Sequence, residues 1–371
     1  MPQEFILTYK LRAYNFAMKR LSETCATLYA DLKDRACGDT GRLPPGGAFT
    51  KKTVNGRIYW YYQTPQVDGQ RRQISLGRES DELLAKIDQW RTAQSDAAGL
   101  SDARKRLVAM LGVGGAHLEP GRPAKLLSRM SQAGLFDAGG VLVGSFAFAC
   151  YGNMLGVSFG SALMRTSDMD FSLERELDIG LQRSIPDDLR LAEPALKWPP
   201  QLLPSAPPFN LIAPDGFKIE FLTAQHAATE RAPVLIERFS VHAMPLPYMD
   251  YLLNQTQDAV VLNGAGIPVK VPDPARFTLH KLAVSQLRPV GEKTKSDKDI
   301  RQAEQLLEVL LADNPGSAML AADAVNERED LLGNLILKGA SRLPPEMRES
   351  LRNWVHEKVW DAELGKAKIG V

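Results

Sequence analysis

Asp168 and Asp170, two carboxylates two positions apart in RTSDMDF (165–171), are the residues whose spacing first suggests chemistry. In an extended strand, positions i and i+2 share a face, so both acids point one way while Met169 and Phe171 turn to the other. Like charges held side by side repel unless a cation lies between them, and an all-oxygen donor set suits Mg²⁺ or Mn²⁺. Alone, such a pair most often marks an exposed strand end or turn. Glu220 in FKIEFLT (217–223) offers a third acid on a second strand, where Phe217, Ile219 and Phe221 alternate with Lys218 and Glu220. The competing reading of Glu220 is an ordinary solvent-facing position on an amphipathic strand.

A third feature lies upstream. Gly144 and Ser145 follow the apolar run Val141–Val143 and precede a helical stretch. That arrangement leaves free backbone N–H groups and the positive end of a helix dipole, a setting that favours phosphate. Glycine allows close approach, and the serine hydroxyl adds a donor.

The elements that must position these groups are legible in outline. Residues 5–35 carry apolar positions at mixed three and four spacing (Leu11, Phe16, Leu21, Leu28, Leu32) and predict an amphipathic helix ending at Gly38. Residues 47–80 alternate β-branched and aromatic runs around the turn dipeptides Asn55-Gly56 and Asp68-Gly69, which predicts a three-stranded antiparallel meander. Ser80 opens a further helix over 80–98, and helical patterns continue to Gly134. The strands VLV, DMDFSL and FKIEFLT follow, with a proline-rich loop around KWPPQLLPSAPPF (197–209) and a hairpin in AVVLNGAGIPVKVPDP (259–274). From Pro274 the pattern is helical throughout.

Bulk composition excludes little. Lys plus Arg number 45 against 44 Asp plus Glu, a formal charge of +1, so any nucleic-acid contact must come from a local patch. One such patch is the meander, where Lys51, Lys52, Arg57, Arg71, Arg72 and Arg78 face only Asp68 and Glu79 in a stretch that includes Tyr59, Trp60, Tyr61 and Tyr62. Basic and aromatic residues on a small sheet suit backbone contact and base stacking. The module looks similar to three-stranded DNA-binding modules of integrases. Cys25, Cys37 and Cys150 are odd in number and far apart, which predicts reduced thiols. No stretch supplies the roughly 18 apolar residues of a membrane span, and a cytoplasmic location is the expectation.

Taken in order, LVGS (142–145), DMD (168–170) and IEF (219–221) resemble the hG[GS], DhD and third-acid signature of the DNA polymerase β-like nucleotidyltransferase superfamily. YGNMLGV (151–157), PARFTLHKL (274–282) and KDIRQA (298–303) are similar to stretches of a bacterial nucleotidyltransferase-like group. Asp168 lies further beyond Ser145 than in compact members. The resemblance implies an α+β, multi-domain fold: an N-terminal helix and basic meander (1–98), a mixed-sheet catalytic domain (99–271) and a helical C-terminal domain (272–371). It also implies a transferase that moves NMP from an NTP such as ATP to an acceptor hydroxyl on RNA, protein or a small molecule. Asp168, Asp170 and Glu220 would hold Mg²⁺ or Mn²⁺, Gly144 and Ser145 the phosphates, and Arg165 and Lys281 would bind the nucleotide, with Arg288 and Lys298 as further cations. Lys51, Lys52, Arg57, Trp60, Arg71 and Arg72 are candidate nucleic-acid contacts. The alternative is a catalytically silent nucleic-acid-binding or toxin–antitoxin partner with the same fold.

Overall fold

A computed structural model describes residues 19–37, 47–54, 56–63, 73–164, 166–175, 184–201, 207–361 and 366–369. Arg71, Arg72, Arg165 and the first part of the expected N-terminal helix lie outside them. So does the Asp68-Gly69 turn.

The chain begins with β1 (Lys19–Arg20), then α1 (Glu23–Cys37), and a meander of β2 (Ala48–Val54), β3 (Arg57–Gln63) and β4 (Gln73–Arg78). Helices α2 (Asp81–Val113) and α3 (Gly121–Gln132) lead to β5 (Gly140–Val143), α4 (Gly144–Met154), β6 (Val157–Ser158), α5 (Ser161–Met164) and β7 (Asp168–Leu173). Next come α6 (Ile185–Ala192), β8 (Asn210–Ile212), β9 (Lys218–Ala224), β10 (Val234–Ile236), β11 (Val241–Leu246) and α7 (Met249–Leu253). The hairpin β12 (Thr256–Val261) and β13 (Ile267–Pro272) precedes α8 (Pro274–Leu287), α9 (Lys293–Asp313), α10 (Pro315–Asn326), α11 (Leu332–Ala340) and α12 (Pro345–Trp354). A last hairpin pairs β14 (Lys358–Asp361) with β15 (Lys366–Ile369).

The central sheet is six-stranded and mixed, in the order β10-β11-β9-β7-β5, with β8 also on β9. Its strands form because apolar residues alternate: Met169, Phe171, Ile219 and Phe221 are fully buried on one face, and the charged residues between them turn to the other. At about 1.5–3 kcal/mol for each large apolar side chain buried, that face fixes the register, since a one-residue slip would bury the acids instead. The same core takes in Phe277 of α8 and Leu306 and Val309 of α9, so the helical part packs directly on the sheet domain. The fold is therefore α+β with a helical C-terminal part, as expected.

Several local expectations need correction. Lys19–Arg20 form a strand paired with β6 rather than helix, and α1 starts only at Glu23. Helix α1 packs on the body: Tyr29 Oη bonds both the N–H and the carbonyl of Val260 in β12, and Leu32 is fully buried. The helix expected over 80–98 runs without a break to Val113. Upstream of the expected proline-rich loop, Ser184 accepts from the Asp187 N–H and caps α6, a helix not expected from the sequence pattern. The stretch from Pro274, expected to be helical throughout, stays so only to Trp354 and then closes in a hairpin.

Among the described residues no helix is long and apolar enough to cross a membrane. The three thiols are free, and burial pushes Cys150 up to about 12 and Cys37 to about 11, so both stay protonated.

Candidate active site

The two acidic strands are direct neighbours. β7 and β9 run parallel, with Asp168 opposite Lys218 and Asp170 opposite Glu220, so the three carboxylates share the open face of the sheet. Across β7's other edge, Asp170 pairs with Val143, the last residue of β5. Gly144 follows at φ +66°, a conformation that favours glycine, and a Cβ there would clash with Asp170 Oδ2. The Gly-Ser turn and the Asp-x-Asp strand are therefore in contact, despite the longer stretch of chain between them. Ser145 is buried in the first turn of α4. Gly144→Ala should both strain the turn and push the Asp170 carboxylate aside. The expected result is a stability loss of about 1–3 kcal/mol in chemical denaturation, with a larger relative fall in nucleotide binding measured by calorimetry.

Each acid has its own supports. Asp168 accepts from the Ser167 hydroxyl at 3.3 Å, and Thr166 Oγ1 accepts from its backbone N–H at 3.2 Å. Burial pushes Asp170 up to about 7, reinforced by repulsion from Glu220 and opposed by Lys281. Burial also raises Glu220, with repulsion from Asp168 adding to it; Lys218 and a hydrogen bond from the Asn210 side chain act against it. Asn210 sits opposite Glu220 on β8.

Basic residues from α8 and α9 face this acidic ledge. Lys281 is buried and donates to Asp299 Oδ1 at 2.6 Å, while Arg288 Nε donates to Asp299 Oδ2 at 3.0 Å. Burial lowers Lys298, as does its neighbour Lys281, while Asp299, Asp168 and Asp170 pull it back up. The buried Gln302 of α9 donates to the Leu163 carbonyl at 2.9 Å, tying the same helix to the segment that leads into the acids. Lys281 is thus held in a buried ion pair instead of standing free in a cleft.

Asp299 is the residue that sequence reading passed over. It stands with Ser296, Ala303, Leu306 and Leu310 in the buried stripe of α9, and a carboxylate in an apolar stripe is itself a signal of a buried counter-charge. Tyr151 and Asn153 of YGNMLGV have structural work: Tyr151 Oη donates to the Pro272 carbonyl, and Asn153 bonds both the N–H and the carbonyl of His117.

His280 is buried in α8, and desolvation, with Lys281 and Arg288 adding, pushes it down to about 3, against the pull of Asp299 and Asp250. Between that value and about 6.5 the unfolded chain binds a proton that the folded chain refuses. His280 should therefore subtract stability as pH drops below about 6.5, by up to about 1.4 kcal/mol per pH unit, while Asp170, whose raised carboxyl takes up its proton in the folded chain, adds stability over the same range. The diagnostic is the difference between the two chains: from pH 7 to 5 the denaturant midpoint of His280→Gln should gain on that of the wild type.

The donor set around Asp168, Asp170 and Glu220 is all oxygen, carries excess negative charge on one face and suits a hard divalent cation. Among the described residues no three or more His, Cys, Asp or Glu side chains form a ready-made metal site. Of the candidate nucleic-acid contacts, Lys52 and Arg57 lie on the outer face of the meander. Lys51 lies on the face toward α2, and Trp60 is buried there, its indole N–H donated to Glu79 at 2.7 Å. That burial takes the Trp60 ring away from any bound base.

Residues 122–327 match a family model described as Nucleotidyltransferase. The chain is also similar to an antigenic nucleotidyltransferase-like protein from Paracoccidioides brasiliensis, at 16% identity and a TM-score of 0.32 over 62% of this chain and 94% of that one. No curated protein matches the chain.

Proposed function

The chain belongs to the nucleotidyltransferase family whose model spans more than half of it, and from that premise we propose that it transfers NMP from an NTP to an acceptor hydroxyl, releasing pyrophosphate. The observation that carries this reading is the parallel pairing that sets Asp170 beside Glu220, two residues along β7 from Asp168, with the Gly144 turn against Asp170. Asp168, Asp170 and Glu220 would hold Mg²⁺ or Mn²⁺, which when bound supplies charge neutralisation of the triphosphate and polarisation of its phosphorus.

The chain's own residues do the rest. Gly144 lets the Asp170 carboxylate close against the start of α4, where the N–H groups of the first turn would take a phosphate. The Ser145 hydroxyl adds a donor there. Lys281 and Arg288, held by Asp299, keep a positive wall beside the acids and favour the polyanionic nucleotide over water. Arg165, immediately before the acidic strand, is assigned the same role from its position in the sequence.

A labelling experiment with total RNA and cell lysate tests the reading. With Mg²⁺ or Mn²⁺ present, label from the α-phosphate should enter a macromolecule or small product while label from the γ-phosphate leaves as pyrophosphate. Transfer of the γ label instead would make the enzyme a kinase and overturn the assignment. Absence of both, at saturating NTP, would favour a silent member of the fold.

A further inference from the structure

The meander has two unlike faces. One packs on α2: Phe49 stacks on Trp90 with ring centroids 6.1 Å apart, Tyr62 is fully buried, and Trp60 bonds Glu79. The register puts Lys52 opposite Tyr59 and Tyr59 opposite Arg78, and places Thr50 opposite Tyr61, all on the other face. Contacts confirm the assignment, since Lys52 Nζ donates to Gln73 Oε1 at 2.8 Å and lies 5.2 Å from the Tyr61 ring, and Gln73 reaches Thr50. Lys52, Arg57 and Arg78 are exposed there, Tyr59 and Tyr61 are half-buried, and among the described residues no acid shares the face.

We propose that this outer face, carrying Lys52, Arg57, Arg78, Tyr59 and Tyr61, binds single-stranded nucleic acid. Three cations, with no acid beside them among the described residues, give it the charge complement of a phosphate backbone. Tyr59 and Tyr61, two apart on β3, present rings about 6.6 Å apart along the strand, close to two nucleotide steps of about 3.4 Å each. Flat rings at that spacing offer stacking platforms to unpaired bases, which an acidic peptide would not use. A duplex keeps its bases stacked inward and would leave the rings idle.

The experiment uses the full chain without NTP or divalent cation, so its outcome is separate from that of the transfer chemistry. Fluorescence anisotropy is read with labelled oligo-dT and oligo-U of about 15 nucleotides, a duplex of the same length and poly-glutamate as competitor. The expected slope of log K against log salt is about −2 for three phosphate contacts on a single strand. The Lys52→Ala, Arg57→Ala, Arg78→Ala triple variant should bring the slope close to zero. Tyr59→Ala and Tyr61→Ala should each weaken binding by about 5–150-fold while the Phe variants stay near wild type. Lys51→Ala, on the other face, should change nothing, and unfolding midpoints should be unaltered in all the lysine and arginine variants. An unchanged slope in the triple variant, tighter binding of duplex, or equal competition by poly-glutamate would each overturn the proposal.

Discussion

Asp168→Ala combined with Asp170→Ala should reduce NMP transfer by about 10³-fold or more, the loss expected when charge stabilisation worth about 4 kcal/mol is removed from a transition state. The diagnostic is that stability should not fall with it. Burial and Glu220 already disfavour the Asp170 carboxylate, so its removal relieves repulsion and takes away no ion pair. Transfer measured by α-label incorporation and unfolding followed by denaturant titration should therefore part company. Glu220→Gln should behave alike, with the Asn210 hydrogen bond retained. Equal labelling by wild type and double variant would remove the three acids from the mechanism, and a collapse of the unfolding midpoint would mark them as structural.

Asp299→Ala should produce the largest stability change, about 3–5 kcal/mol, because it leaves the buried Lys281 ammonium without its counter-charge. Arg288 is more exposed and can turn to water, so its loss should cost about 1 kcal/mol or less. The control is the paired replacement Lys281→Met, Asp299→Leu. Two apolar side chains of similar size should recover most of the stability, since a buried ion pair is worth little against well-packed hydrophobes. Nucleotide affinity should not recover with the stability in that pair, because the Lys281 ammonium is lost even though Arg288 remains. Denaturation with calorimetric NTP titration separates the two effects. If Asp299→Ala shifts stability by less than about 1 kcal/mol, the three residues are not a closed unit.

The strands that carry the acids were legible because their alternation is strict. DMDF and KIEF each place charge on one face and bulk on the other, and the structure uses both that way. That Glu220 joins the two aspartates was implied by the resemblance, but the register was not legible, since nothing in either segment records that residue 170 lies opposite 220 across a long intervening stretch. Lys281 was visible as a cation on a largely apolar helix, but its partner sits on a different helix, and sequence spacing does not report such contacts. The run of aromatics at 59–62 announced a sheet with one buried side, and only the register revealed that Trp60 and Tyr62 are that side. Gly99 invites a break in α2, yet the helix runs through it because tertiary packing at both ends outweighs a propensity cost of about 1 kcal/mol. The terminal hairpin was missed because KVWD and KAKI are too short to show alternation.

That unbroken helix has a mechanical consequence. Its first turns hold the meander through Trp90 and Arg91, and Arg104 next grips the body by donating to the carbonyls of Ala265 and Gly266. Between those anchors run about 20 Å of helix, a boom of fixed length between the meander and the β12–β13 turn. Under the binding proposed for the outer face, a chain grasped there would be held at the end of that arm and would need slack to bring a hydroxyl to the carboxylates. Reach, as much as base identity, then becomes a property by which one acceptor is told from another.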